Sequence, residues 1–146
     1  MRTSSAIACL LILTALAAAA QPASHYRVEA SVWNRGVLTG EHQLVLPPAQ
    51  PERFEAGSGD TTWRVEIELE SPEATEGADP DALWFRVGIE QRIDGDWVFL
   101  TDTMIGTRLG QPGHVSVVDN AEDGRAVARE NAALWIELKA DSSETE

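Results

Sequence analysis

Past residue 20 the chain has no cysteine, the single one being Cys9. Without disulfides the fold must rest on its core alone, which excludes the small stapled scaffolds of animal secretions. Basic charge is scarce too. Against 24 acidic side chains stand 11 lysines and arginines, or 10 once Arg2 is set aside with the first 20 residues, a net of −14. A phosphate backbone needs a basic surface, so nucleic acid is excluded as a partner, and an anionic membrane surface is disfavoured for the same reason. The acidity reads as solubility in an exported protein. Catalytic patterns are missing as well. His25, His42 and His114 stand at no metal-ligand spacing, no H-E-x-x-H is present, and Ser58 between Gly57 and Gly59 reads as a turn residue. With no nucleophile–base pair there is no catalytic residue to name, and no cofactor is expected.

The start of the chain is of another kind. Arg2 is followed by the apolar run Ala6 to Leu16 and then by Ala18-Ala19-Ala20. That order is a secretory signal, with Gln21 the expected first mature residue. The run is short for a membrane span, so no span is expected after cleavage. Residues 1–20 are therefore assigned to the signal and 21–140 to the domain, and a bacterial periplasm or exterior is the expected compartment. The remaining 126 residues suffice to bury one core.

The clearest structural signal is Thr62 to Glu70, where Trp63, Val65, Ile67 and Leu69 alternate with Arg64, Glu66, Glu68 and Glu70. A period of two gives a strand with one buried and one wet face. Further strands are predicted over Tyr26–Asn34, within Val37–Leu46, at Arg53–Glu55, from Leu83 to about Glu90, over Trp97–Ile105, over His114–Asp119 and over Leu134–Ala140. Arg35-Gly36, Gly57 to Asp60 and Asp94-Gly95 are the turns. Residues 72–82 carry linker chemistry, and Asp141 to Glu146 is an acidic, Ser-rich tail expected to be disordered.

The two halves echo each other. Tyr26-Arg27-Val28 and Phe85-Arg86-Val87 each run nine positions from arginine to a turn glycine, Gly36 and Gly95. Ala49-Gln50-Pro51 is answered by Gly110-Gln111-Pro112, and the Trp63 strand by Leu134 to Leu138. The second half adds Asn120 to Asn131, read as a short helix or a long arm. The expectation is an all-β, antiparallel β-sandwich (or barrel) of about eight strands built from two similar four-stranded units, 26–71 and 83–140.

Gly110-Gln111-Pro112-Gly113 followed by the alternating His114-Val115-Ser116-Val117 resembles β-rich segments of bacterial envelope proteins, such as secretin-like proteins and the periplasmic tails of antirepressor-type sensor metallopeptidases. The first unit departs from it with Ala49 in the glycine position, and no zinc-protease motif accompanies it. The resemblance implies an envelope β-module and transfers no catalytic residue.

Parity singles out the tryptophans. Trp33, Trp84 and Trp135 fall on the polar side of their strands, beside Arg27, Arg86 and Glu137. Indoles on a charged face mark binding, here of a protein partner in the envelope, with Arg86 as a rim charge. The competing reading is that 120–131 or the linker covers them, or that a bulge shifts the register. Two other chemistries have candidates. Glu66 and Glu68, about 6.5–7 Å apart along the strand, could flank a glycosidic bond, although a row of exposed glutamates is ordinary. Asp94 with Asp96, or Asp119 with Glu122 and Asp123, could offer calcium carboxylates, although turn-forming aspartates explain both.

Overall fold

The computed structural model describes residues 25–70, 79, 81–119 and 127–143. The signal segment, most of the linker, Glu122, Asp123 and residues 144–146 lie outside them. Eight strands follow in order: β1 (Tyr26–Asn34), β2 (Val37–Leu46), β3 (Glu52–Ala56), β4 (Trp63–Glu70), β5 (Ala82–Ile93), β6 (Asp96–Arg108), β7 (Pro112–Val117) and β8 (Leu134–Ser142). They form two antiparallel four-stranded sheets, β2-β1-β8-β7 and β3-β4-β5-β6, and do not close into a barrel. Several expected boundaries move: β7 spans Pro112–Val117 instead of His114–Asp119, and β5 and β6 run on to Ile93 and Arg108. Asp141 and Ser142, assigned to a disordered tail, complete β8, because Arg27 and Tyr26 at the start of β1 offer them ladder partners. Ala82, placed in the linker, already belongs to β5.

Alternation decides which faces meet. Along β4 the apolar residues are buried and the charged ones half-buried without a slip. Val28, Val32, Val65, Ile67, Phe85, Val87, Ile136 and Leu138 are fully buried between the sheets. Each such side chain contributes roughly 1.5–3 kcal/mol on leaving water, which is what presses the sheets together in the absence of disulfides. Trp63 joins this core, as its parity predicts.

The duplication is visible in the topology, in a form that alternation does not reveal. Neither half makes a sheet of its own. Each half gives its first hairpin to one sheet and its second to the other. Advancing every strand by four converts β2-β1-β8-β7 into β6-β5-β4-β3, which is the second sheet in the same order. Local details repeat with it. Arg35-Gly36 and Asp94-Gly95 both have positive φ at two successive residues, the type I′ turn that matches strand twist. Each of these hairpins carries one register shift, between Val32 and Trp33 and between Ile89 and Glu90. Ala49 (φ 60) and Gly110 (φ 73) make the same left-handed turn. Their N–H groups donate to the equivalent carbonyls of Leu69 (2.9 Å) and Ala140 (2.7 Å). A short 3₁₀ turn, Gly59–Thr61 or Arg129–Asn131, then leads into the last strand of each half.

Candidate functional site

The wet face of the β3-β4-β5-β6 sheet is built by the residues that alternation sends away from the core. Cross-strand register sets them in rows: Glu70–Trp84–Gly106, Glu68–Arg86–Met104, Glu66–Gly88–Asp102 and Arg64–Glu90–Phe99. Most of the charges are neutralised within the face. Arg53 donates to Glu66 at 2.6 Å, Arg64 lies between Glu55 at 3.0 Å and Glu90 at 3.4 Å, and Arg86 meets Asp102 at 2.7 Å. Arg86 grips both oxygens of Asp102. That hydrogen bonding holds the Asp102 carboxyl below its ordinary range and raises the arginine. Glu68 and Glu70 have no ion-pair partner among the described residues.

Among these charges three large apolar side chains stand exposed at the β5–β6 side. Phe99 is 64% exposed, Met104 53% and Trp84 49%. Gly88, lacking a side chain, leaves a shallow hollow of about 260 Å³ bordered by Glu66, Glu68, Arg86, Phe99 and Asp102. A second hollow of about 480 Å³ runs from the Trp84 ring to Thr107, Gln111 and Pro112. Trp84 lies flat on its neighbour strand. A methyl group at Gly106 would meet three of its ring carbons at 3.0–3.3 Å.

Of the indoles that parity turned outward, Trp84 shares this face with Arg86, whereas Trp33 and Trp135 belong to the outer face of the other sheet. They are cross-strand neighbours there, on β1 and β8. Neither is open in the way Trp84 is. The Arg129 guanidinium lies over the Trp33 ring at 4.7 Å, so Arg129, near the end of the 120–131 segment, reaches that face. His114 stacks on Trp135 at 4.0 Å and 9° between planes. Period two fixed the parity of the three indoles correctly. It carries no information about which sheet a strand joins, so it could not separate them.

Phe99 and Met104 are the contributors that the alternation argument passed over. A signal for Phe99 was present: Trp97-Val98-Phe99-Leu100 is an unbroken apolar run. In an edge strand, where β6 lies, such a run exposes part of itself. The bulge in the β5–β6 ladder adds one residue on this side, and Val98 and Leu100 are partly exposed as well.

Glu66 and Glu68 share the wet face, half-buried, but Glu66 is committed to Arg53 and neither carboxylate is fully withdrawn from water. A proton-carrying acid of a glycosidase needs such withdrawal. Asp94 is itself a residue of the β5–β6 turn, at φ 52, and Asp96 opens β6. Asp119 is held by Arg35 at 2.8 Å, and Asp123 lies outside the described residues. Among the described residues no three carboxylate, imidazole or thiol groups gather as a metal would need. His42 points inward and stacks on Phe54 at 4.1 Å, while His25 is exposed just before β1. No helix among the described residues is long and apolar enough to cross a membrane.

No family model matches the chain, and no curated protein and no solved structure is significantly similar to it.

Proposed function

We propose that this chain is an exported, non-enzymatic β-sandwich of the bacterial cell envelope that binds a protein partner through the outer face of the β3-β4-β5-β6 sheet. One observation carries the reading: Trp84, Met104 and Phe99 stand exposed together on a face otherwise built of paired charges. A sandwich hides its apolar side chains between its sheets, and large exposed ones gathered on one outer face cost solubility unless something covers them. The anatomy suits an interface: Trp84 and Met104 lie on one side and Phe99 on the other of the Arg86–Asp102 pair, which is already preorganised by its bond. The signal-like start of the sequence supports a partner beyond the inner membrane. The resemblance of Gly110 to Val117 to envelope β-modules agrees with that compartment.

The test is crosslinking in the native cell, comparing the unaltered chain with the double variant Phe99→Ser/Met104→Ser and with Trp84→Ala. These side chains are exposed, so the variants fold. A partner recovered with the unaltered chain is expected to disappear with both. Recovery of the same partner at the same level from the double variant would refute the assignment of this face. A second double variant, Val37→Ser/Leu38→Ser at the exposed end of β2 on the opposite sheet, should leave the partner in place.

A further inference from the structure

We infer that the free face of Trp84 is a seat for a guanidinium group, so that the partner proposed above presents an arginine to it. The inference rests on the reading of that face as a protein-binding surface and adds the chemistry of what it recognises.

The five indoles of the chain supply the pattern. Trp63 is in the core. Trp97 carries the Arg64 guanidinium at 3.9 Å, Trp33 carries Arg129 at 4.7 Å, and Trp135 carries the His114 ring at 4.0 Å. Each outward indole but one is thus capped by a planar nitrogen-bearing group from the same chain. Trp84 is the exception. Its inner face is pressed on Gly106, and no guanidinium of the described residues lies over its outer face. An indole is the best aromatic partner for a cation, and a guanidinium can also stack flat upon it.

Charge points the same way. Glu70 is the direct cross-strand neighbour of Trp84, and Glu68 is in the next row. Both lack an ion-pair partner among the described residues, while the other acids on this face are paired. The wall beside the ring already accommodates a guanidinium–carboxylate pair, Arg108 with Asp79 at 3.0 Å. The 480 Å³ hollow between Trp84, Thr107, Gln111 and Pro112 gives room for the aliphatic stem of an incoming side chain. A second copy of this chain is a poor occupant, because a net charge of −14 opposes self-association. An arginine-bearing segment of another protein fits on both charge and shape.

The experiment reads the five indole N–H signals in a ¹H–¹⁵N spectrum of the exported chain, with Trp84 assigned through Trp84→Phe. The probe is the blocked peptide acetyl-Gly-Arg-Gly-Arg-Gly-amide, and the control replaces both arginines by citrulline, which keeps the shape and removes the charge. The arginine peptide is expected to move the Trp84 signal and the Met104 and Gly106 amides in a saturable way, leaving Trp33, Trp97 and Trp135 in place. Glu70→Gln should weaken the apparent affinity about two- to five-fold, and Trp84→Ala should abolish the amide shifts. Equal shifts with the citrulline peptide, or amide shifts that survive Trp84→Ala, would overturn the inference. The outcomes stay separate from those of the crosslinking test. If the peptide fails while Phe99→Ser/Met104→Ser still removes the partner, the seat is wrong and the face stands. If the peptide binds as expected while the double variant keeps its partner, the seat stands and the face is wrong.

Discussion

Replacing Ala49 by glycine and Gly110 by alanine tests the duplicated turn with two changes that should act in opposite directions. Both residues are left-handed, at φ 60 and φ 73, and their N–H groups donate to the backbone carbonyls of Leu69 and Ala140 respectively. A side chain in that conformation costs roughly 1–2 kcal/mol, because Cβ crowds the following carbonyl oxygen. Glycine removes that cost but adds about 0.4–1 kcal/mol of unfolded-state entropy to be lost on folding. Ala49→Gly should therefore stabilise by about 0.5–1 kcal/mol, and Gly110→Ala should destabilise by about the same. A methyl at Gly110 would meet Asp141 Oδ1 at 3.6 Å, an ordinary contact that adds no clash. The assay is urea unfolding followed by the indole fluorescence, with the midpoint moving up for the first variant and down for the second at an unchanged slope. If Ala49→Gly lowers the midpoint, the two turns are not the same device and the energetic reasoning about them fails.

Two further outcomes follow from single residues. In the β3–β4 connection, Gly57→Ala should cost about 3 kcal/mol or more, since its Cβ would collide with the Thr61 carbonyl oxygen at φ 96. Gly59→Ala at φ 58 in open space should cost about 1 kcal/mol or less. Similar midpoints for the two variants in the same unfolding assay would refute the steric account. His42 is stacked on Phe54 with a buried, unpartnered Nε2, and burial lowers its pKa from the ordinary 6.5. Its unfolded form therefore binds more protons, so this part of the stability is present above pH 6.5 and is lost as the pH falls below it, until the depressed folded value is passed. Compared at pH 7.5 and 5.5, the unaltered chain should lose more stability than His42→Gln, and equal losses would remove His42 from the account.

How much of this was legible beforehand differs from residue to residue. The strands were readable because a two-layer antiparallel sandwich buries one face of each strand, and Trp63 to Glu70 repeats that rule in its side chains. The Asp94-Gly95 turn was readable because Asp and Gly are among the few residues that tolerate positive φ, and the Arg35-Gly36 turn through its glycine alone. The exchange of hairpins between sheets was not readable. A period of two says which side chains are buried and is silent on which strand lies alongside, so Trp33 and Trp135 looked equivalent to Trp84. The extent of β8 was missed for a related reason. Asp141 and Ser142 have tail-like composition, and only the presence of Tyr26 and Arg27 opposite them makes a strand worth forming there. Ala49 was visible as a departure from glycine, but its left-handed backbone was not, since alanine carries no sign of it.

The arrangement of hairpins also bears on how such a chain could arise. In the first half, the inner edges of β1 and β4 are closed by β8 and β5, both supplied by the second half. Taken alone, either half would have two bare ladders and half a core. Two identical halves could satisfy one another by the same exchange, giving an interlocked homodimer with these sheets. Joining their ends between β4 and β5 would turn that dimer into a single polypeptide, free afterwards to let its two faces diverge. One now has its indoles capped from within, and the other keeps Trp84 open.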